Sequence, residues 1–286
     1  MKISYSKYLL AGKNSQPSQA GALLRVESDG FFGVADICPK PQFGDLALED
    51  EMKVQGPLFQ RALELATEDL QARKSGNSLL LNKAVANNIL VTNYRLPEIV
   101  ASRTYKIKAD SDFDSLLKVC GKVPKARLDF NSSLSPAEFE KFLERLTPEL
   151  KSRIEYIEDP TELNEKWKVW NRVIPLAFDF QKAAYSPELA SYWIIKPSRQ
   201  RVPALDSHVT LTSAMEHPVG VAHGLRLAQQ LAHSVSGFST LGLYEDCGFN
   251  RFFEQQGEFL NFSASAIGGT GIGMSDELEA QKWESA

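Results

Sequence analysis

Cysteine is scarce in this sequence, and the few cysteines present are badly placed for cross-linking or for binding metal. The chain has 286 residues and three cysteines, Cys38, Cys120 and Cys247, which are far apart and form no Cys-x-x-Cys pair. A small, odd and scattered set of this kind predicts neither a disulfide framework nor a zinc site. We therefore expect a protein of a reducing compartment, the cytoplasm.

Histidine is also rare, and its spacing excludes a common kind of metal site. The four histidines, His208, His217, His223 and His233, show no His-Glu-x-x-His pattern. A helical zinc site of that kind requires two histidines four positions apart on one face. Metal binding through histidine is therefore not expected.

Long apolar runs and blocks of like charge are both missing. No run approaches the roughly 18 apolar residues of a membrane-spanning helix, and the beginning MKISYSKYLLAGKNSQ lacks the apolar core of a signal peptide. Lysine plus arginine number 32 and aspartate plus glutamate 36, for a net charge of -4, so no basic surface for nucleic acid is indicated. We expect a soluble, cytoplasmic protein with neither a membrane nor a nucleic acid as partner.

The first 85 residues have the pattern of a small α+β unit. Two apolar segments, around residues 23–26 and 32–37, are joined by the turn signal Ser28-Asp29-Gly30, which predicts a hairpin. From residue 49 to residue 74 apolar side chains recur at helical spacing. A hairpin followed by helices is therefore expected.

From about residue 86 to residue 249 short apolar segments alternate with helical stretches. Seven such segments follow one another: NNILVTNY, TYKIKA, KARLDF, RIEYIE, IPLAFD, SYWIIK and HVTLTS. Strands that alternate with helices are typical of parallel β/α units in an α/β fold. The pattern predicts a TIM-type barrel, with a doubly wound open sheet as the alternative.

Charged residues end five successive apolar segments. In chain order they are Lys108, preceded two positions earlier by Lys106, then Asp129, Glu158, Asp179 and Lys196. In a barrel the carboxyl ends of the strands meet at one face and carry the chemistry. One charged residue at a strand end is usually solvated or caps a helix, but the order lysine, acid, acid, acid, lysine is far more informative than any single member.

The alternation of side chains along a strand predicts which neighbouring residues point to the same face as these acids. Arg127 and Asn131 should share a face with Asp129, because side chains two apart on a strand point the same way. Glu158 should point inward, whereas Asp159, the next residue, should lie on the opposite face as part of a turn. The two adjacent acids should therefore have different environments.

Three carboxylates brought together would repel one another, and a hard divalent cation removes that cost by accepting their oxygens as ligands. Mg²⁺ is the natural candidate. Lys108 and Lys196 come from the strands that flank the three acidic ones, so they would face each other across the metal. A base near a metal-bound carboxylate indicates proton abstraction next to that carboxylate, because the cation stabilises the enediolate formed.

The order of these segments resembles the enolase superfamily and, within its muconate-lactonising-enzyme-like subgroup, the o-succinylbenzoate synthases. The matching segments are LLRVESDGFFGVADICP, KIK, RLDFN, IEYIEDP, IPLAFD and WIIKP, which span most of the chain. The resemblance implies a modified TIM barrel, (β/α)7β, over residues 86–249. It also implies an α+β capping domain formed by residues 1–85 and completed by about residues 250–286.

The resemblance also assigns a role to each charged position. The implied ligands of Mg²⁺, for which Mn²⁺ could substitute, are Asp129, Glu158 and Asp179. Lys108 would be the general base, and Lys196 would stay protonated and stabilise the intermediate through a cation–π contact with the ring. Lys106 would assist, because its like charge disfavours protonation of Lys108.

The implied substrate is a small carboxylate, a hydroxycyclohexadiene carboxylate that carries a succinyl arm. Its dehydration would give o-succinylbenzoate for menaquinone biosynthesis. The implied substrate-binding residues are Arg127, Asn131, Thr212 and Ser213, although Arg127 could equally be a structural salt-bridge partner. The alternative reaction is racemisation or epimerisation of an N-acylamino acid or dipeptide, in which Lys108 and Lys196 each act on one face of the α-carbon. A barrel that binds ligand without turnover is disfavoured, because all five charged positions are present.

Overall fold

A computed structural model describes the chain in six ranges, 1–14, 16–96, 103–179, 186–202, 209–230 and 235–285. The strands are β1 Lys2–Leu10, β2 Gln19–Ser28, β3 Phe31–Ile37, β4 Val85–Ala86, β5 Ile89–Val91, β6 Thr104–Lys108, β7 Lys125–Asp129, β8 Ile154–Glu158, β9 Leu176–Phe178, β10 Tyr192–Ile195, β11 Val209–Leu211, β12 Phe253–Gln256, β13 Phe259–Phe262 and β14 Glu284–Ser285. The α-helices are α1 Leu48–Val54, α2 Pro57–Lys74, α3 Phe113–Cys120, α4 Pro136–Glu144, α5 Pro148–Arg153, α6 Trp167–Val173, α7 Pro218–Gln230, α8 Ala264–Ile267 and α9 Ser275–Glu279. Within the six ranges, no helix has both the length and the apolar character needed to cross a lipid bilayer.

The predicted hairpin is confirmed as β2 and β3, which pair antiparallel. Asp29 and Gly30 between them both have positive φ, 55° and 79°. A loop of this kind follows the right-handed twist of the flanking strands, which is why Asp-Gly favours tight hairpins. The hairpin belongs to an antiparallel sheet with the order β14-β1-β2-β3.

The helical pattern of residues 49–74 divides into two helices, α1 and α2. Gln55 ends α1 with a left-handed φ of 50°, and Pro57 begins α2 at a position where its missing N–H costs nothing. Glu51 lies across this break, and its Oε1 accepts the backbone N–H groups of Leu58 at 2.7 Å and Phe59 at 3.0 Å. The carboxylate therefore caps α2 from the preceding helix.

Helix α2 packs against β2 and β3, and their apolar side chains form one buried cluster. The approach to β3 is close at Gly33, where a Cβ would lie 2.0 Å from the carbonyl oxygen of Ala66. Only glycine allows the strand and the helix to meet at this distance. The apolar side chains that recur at helical spacing in the sequence are thus the ones by which α2 packs against the hairpin.

All seven apolar segments of the second part form strands of one parallel sheet, β5 to β11, each beside the next in chain order. A doubly wound sheet would require the strand order to reverse, so that alternative is wrong. Helices α3 to α6 cover the sheet through a buried cluster that includes Phe139 and Trp170, whose ring centroids lie 4.9 Å apart. The capping box at Ser135 and Glu138, at the start of α4, is formed.

Two residues link the edges of this parallel sheet. The N–H of Gly237 donates to the carbonyl of Leu211 at the end of β11, over 2.9 Å. Ser236 donates its N–H to Ala86 at 2.7 Å and accepts from Asn88 at 2.8 Å, next to β5. Ser236 and Gly237 therefore occupy the gap between the two edges, in the position of an eighth strand.

The C-terminal segment returns to the N-terminal sheet. Strand β14 pairs antiparallel with β1, and β13 pairs with β4. Asp69 of α2 connects the two parts of the chain, because its fully buried carboxylate accepts the N–H of Val34 at 2.9 Å and of Ile272 at 2.7 Å. Arg73 completes this connection by donating to Asp69 and to the carbonyl of Gly273.

Candidate active site

A cavity of about 470 Å³ lies at the carboxyl ends of the parallel strands. The strand ends supply its charged side chains, and Gln42 and Phe43 from the segment after β3 lie on another part of its wall. This volume is within the usual range for a small-molecule site. The cavity lies where a barrel of parallel strands places its chemistry.

The cavity collects almost all of the residues that the sequence singles out. Nine of them line it: Lys106, Lys108, Asp129, Asn131, Glu158, Asp179, Lys196, Thr212 and Ser213. Arg127 is the exception. It is buried beneath the cavity, where its Nε donates to Glu155 at 2.6 Å and its Nη1 to the carbonyl of Val235 at 2.7 Å. The structure therefore places Arg127 in a salt bridge within the sheet and not on the cavity wall.

The register of the sheet brings Lys108, Asp129 and Glu158 side by side. Lys108 is the paired neighbour of Asp129, and Asp129 is that of Glu158. Lys108 Nζ lies 2.6 Å from Asp129 Oδ2 and 3.3 Å from Asn131 Oδ1. Its side chain keeps 40 % of its surface exposed, so its amine can reach a ligand in the cavity.

Lys106 lies deeper, between two of the carboxylates. Its Nζ is 2.8 Å from Asp129 Oδ2 and 2.7 Å from Glu158 Oε2. Burial opposes the charge on Lys106, but the two carboxylates outweigh it and hold the pKa of Lys106 well above its ordinary value. Lys106 is therefore a fixed positive charge at the base of the site.

The two carboxylates beside Lys106 differ in their titration. Burial opposes the charge of Asp129, yet Lys106 and Lys108 together hold the pKa of Asp129 well below its usual range. Burial, reinforced by the negative charge of Asp129, raises the pKa of Glu158 to about 7 even though Lys106 opposes the shift. Of these two carboxylates, Glu158 is thus the one whose negative charge is less well compensated by the protein.

Lys196 and Asp179 form the other side of the site. Their side chains are in direct contact, Lys196 Nζ with Asp179 Oδ1. The N–H of Asp179 also donates to Asp159 Oδ1 at 3.4 Å. Lys196 follows β10 and Asp179 follows β9, which are neighbours in the sheet, so this pair lies beyond the Asp129 and Glu158 group.

Asp159 is not on the opposite face from Glu158, and that prediction from strand alternation is wrong. Asp159 has a left-handed φ of 43°, which interrupts the alternation just after β8 ends. Both acids are buried and both line the cavity. Asp159 supports the site by accepting the backbone N–H of Asp179.

The three predicted metal ligands line one cavity but are held apart by lysine ammonium groups. Among the residues that the structure describes, no three His, Cys, Asp or Glu side chains form a group arranged to hold a metal ion. Lys106 lies between Asp129 and Glu158, and Lys196 contacts Asp179. The donor chemistry nevertheless fits Mg²⁺, which prefers carboxylate oxygens, and a bound cation would take over the charge compensation that the lysines now provide.

The two hydroxyl residues after β11 have different surroundings. Ser213 Oγ donates to Glu216 Oε2 at 2.6 Å and accepts from the N–H of Met215 at 2.8 Å, so its hydroxyl is engaged within the protein. Thr212 Oγ1 is buried and has no hydrogen-bond partner among the described residues. The two hydroxyls therefore differ in whether the described part of the protein supplies them with a hydrogen-bond partner.

Several cavity residues have no clear signal in the sequence. Lys40, which follows β3, lines the cavity, and so do Asn88, Arg199 and Thr240. Lys40 stands in the segment CPKPQF, where a lysine beside prolines reads as an exposed loop residue. Only the packing of this segment against the barrel brings Lys40 to the site.

Two sequence comparisons relate the chain to known proteins. A sequence model of the family described as "O-succinylbenzoate synthase, N-terminal domain" matches residues 3–72. An o-succinylbenzoate synthase from Bdellovibrio bacteriovorus is 30% identical over 329 aligned positions, which cover 99% of this chain and 98% of that protein.

Solved structures share the fold at lower identity. An o-succinylbenzoate synthase from Thermosynechococcus elongatus, complexed with Mg in its active site, has a TM-score of 0.65 at 16% identity and covers 86% of this chain and 95% of its own. The L-Ala-D/L-Glu epimerase from Bacillus subtilis has a TM-score of 0.69 at 16% identity and covers 96% and 98% of the two chains.

The fold is shared with a solved member of the enolase superfamily from Enterococcus faecalis, with a TM-score of 0.76 at 16% identity. The whole-length similarity to the Bdellovibrio protein then narrows this class. The chain belongs to the o-succinylbenzoate synthase family.

Proposed function

We propose that this enzyme is a Mg²⁺-dependent lyase that dehydrates a hydroxycyclohexadiene carboxylate with a succinyl arm to o-succinylbenzoate, a step of menaquinone biosynthesis. The observation that carries the proposal is the placement of Lys108 and Lys196 on either side of a row of three carboxylates that line one cavity. The family relationship and the Mg-bound synthase among its structural relatives support it.

The residues that would hold the cation are Asp129, Glu158 and Asp179. When bound, Mg²⁺ would neutralise negative charge that develops on the substrate carboxylate as the neighbouring carbon loses its proton. The three acids come from the ends of adjacent strands, so their backbone positions are fixed by the sheet. This rigidity suits a site whose task is to hold charge in place.

Lys108 would take the proton from the carbon next to the carboxylate. Its Nζ, partly exposed in the cavity, is oriented by Asp129 and Asn131. The electrons of the broken C–H bond would form a ring double bond as the C–O bond breaks, and Lys108 would return the proton so that hydroxide leaves as water. One lysine suffices for both transfers when the proton and the hydroxyl leave from the same face of the ring.

Lys196 would remain protonated and stabilise the negative charge in the ring. Its Nζ is in direct contact with the Asp179 carboxylate, which positions the amine on the cavity wall. A lysine ammonium near an aromatising ring gains from a cation–π contact. Lys196 therefore complements Lys108 without exchanging a proton in the dehydration.

The second candidate function is racemisation or epimerisation of an N-acylamino acid or dipeptide. The observation that favours it is the same pair of lysines on opposite sides of the site, together with the likeness to the L-Ala-D/L-Glu epimerase. In that reaction each lysine would act on one face of the α-carbon, so both would have to exchange protons. The two functions therefore differ in what Lys196 does.

The test is turnover by the purified protein with added Mg²⁺. Loss of the ultraviolet absorbance of the cyclohexadiene substrate would support dehydration, and N-succinylamino acids and dipeptides would be incubated in parallel and followed by chiral analysis. Racemisation without dehydration would refute the proposed function and favour the second candidate.

A further inference from the structure

Lys40 is a buried lysine on the cavity wall that the proposed chemistry does not use. It is the third residue after the end of β3, has 4% of its surface exposed, and lines the same cavity as Lys108 and Lys196. Its Nζ donates to Gln19 Oε1 at 2.6 Å and to the carbonyl oxygen of Met215 at 3.2 Å. Both acceptors are neutral, and an ammonium has three N–H donors.

The charge balance distinguishes Lys40 from the other cations of the cavity. Lys106, Lys108, Lys196 and Arg199 each contact a carboxylate. Within the described ranges, no carboxylate forms an ion pair with Lys40. A buried ammonium whose hydrogen-bond acceptors are neutral still has a donor for an anion in the cavity, and an anion there would form the ion pair that Lys40 lacks within the described ranges.

Asp36, a buried acid near Lys40, forms no ion pair with it within the described ranges. Asp36 is close enough to Lys40 for their charges to interact, but burial raises the pKa of Asp36 to about 8. Tyr8 Oη donates to Asp36 Oδ1 at 2.7 Å, and the N–H of His217 donates to Asp36 Oδ2 at 3.1 Å. The carboxyl group is therefore already part of a separate hydrogen-bonded cluster.

The segment around Lys40 is fixed against the barrel. The backbone N–H of Lys40 donates to Asp45 Oδ2 at 2.6 Å. Arg199 donates both to Asp45 Oδ2 and, at 3.0 Å, to the carbonyl oxygen of Cys38. Gln19 Nε2 donates to the carbonyl of Pro39 at 2.9 Å. The ammonium is therefore held in place before any ligand arrives, as a selective binding group requires.

We infer that Lys40 binds the second carboxylate of a dicarboxylate substrate, the one at the end of its flexible arm. Because the dicarboxylate is the substrate of the proposed function, this role rests on that function. A distal carboxylate would receive the remaining N–H of Lys40, whereas the cationic amino end of a dipeptide would be repelled. Lys40 thus determines specificity for an anionic arm and takes no part in proton transfer.

The test compares two ligands on several variants by calorimetry with Mg²⁺ present. One ligand is o-succinylbenzoate, which keeps both carboxylates, and the other is its analogue with the arm carboxylate converted to a primary amide. The variants are Lys40→Gln, Lys40→Arg and the control Lys7→Gln, which removes an equal charge from an exposed position on β1 outside the cavity. Lys40→Met, which keeps the alkyl stem, replaces Lys40→Gln if the latter does not fold.

The wild type and Lys7→Gln should prefer the dicarboxylate by about 10- to 100-fold, the usual value of a hydrogen bond to a charged group. In Lys40→Gln the preference should fall to about threefold or less, and Lys40→Arg should keep most of it. An unchanged preference in Lys40→Gln, or none in the wild type, would overturn this role of Lys40.

Wild-type turnover separates this result from the proposed function. If the wild type dehydrates the cyclohexadiene substrate while Lys40→Gln keeps the wild-type preference, only the assignment of Lys40 is wrong. If the preference depends on Lys40 but the wild type does not dehydrate the substrate, the anion site stands and the proposed reaction is wrong.

Discussion

Replacement of Asp69 by alanine should strongly destabilise the protein, because one buried carboxylate joins the N-terminal sheet to the C-terminal segment. Asp69 is completely buried and accepts the N–H groups of Val34 and Ile272 as well as Arg73 Nε. A buried N–H without an acceptor costs about 1–3 kcal/mol, and removal of one partner of a buried ion pair costs about 3–5 kcal/mol. These costs overlap, and Arg73 keeps its bond to the Gly273 carbonyl, so we expect a loss of about 3–5 kcal/mol.

The assay is chemical denaturation of Asp69→Ala beside the control Asp29→Ala. Asp29 also pairs with a lysine, Lys74, but its side chain is 78% exposed, so loss of the pair should matter little. Alanine at its positive φ of 55° should cost only about 1–2 kcal/mol, less than the loss expected for Asp69→Ala. Gly271→Ala tests the same connection from the other side, because its Cβ would lie 1.9 Å from Asp69 Oδ1. A loss below about 1 kcal/mol for Asp69→Ala would refute the account of this connection.

Three further predictions concern the site. Lys108→Ala should lower kcat by about 100- to 10,000-fold with the fold intact, because a general base contributes that much to the rate. Lys196→Ala should also lower kcat severely. Near wild-type activity in either variant would contradict the assigned roles. Glu158→Gln should reduce Mg²⁺-dependent turnover by about 100-fold or more. Asp159→Asn should stay near wild type, because asparagine keeps the oxygen that accepts the N–H of Asp179. A Mg²⁺ titration of turnover distinguishes the two variants. Chelation of divalent cations should abolish dehydration and Mn²⁺ should restore part of it, so full activity after chelation would rule out the metal.

The parallel sheet could be predicted from the sequence because each strand is a short apolar run with a polar end. The segments that became β6, β7 and β8 end in Lys108, Asp129 and Glu158, and the period of strands and helices places those ends at one face. Ser236 and Gly237, which bridge the sheet edges, form no apolar run and gave no such signal. Their position follows from the closure of the sheet and not from local propensity.

The parts of the site that the sequence does not reveal depend on tertiary contacts or on local backbone geometry. Strand alternation failed at Asp159 because its positive φ of 43° comes directly after β8 ends, so the alternation does not continue to it. Alternation alone also could not show that Arg127 pairs with Glu155 below the cavity. Lys40 belongs to a segment distant in sequence from every strand of the parallel sheet, so only the docking of that segment on the barrel could identify it.

The most direct test of the central claim is the initial rate of dehydration of the cyclohexadiene substrate by wild type and Lys108→Ala, measured in parallel with Mg²⁺ and with the product identified by mass spectrometry. We predict that the wild type forms o-succinylbenzoate and that Lys108→Ala does so at least about 100-fold more slowly. Absence of o-succinylbenzoate from the wild-type reaction, or equal rates for the two proteins, would contradict the account.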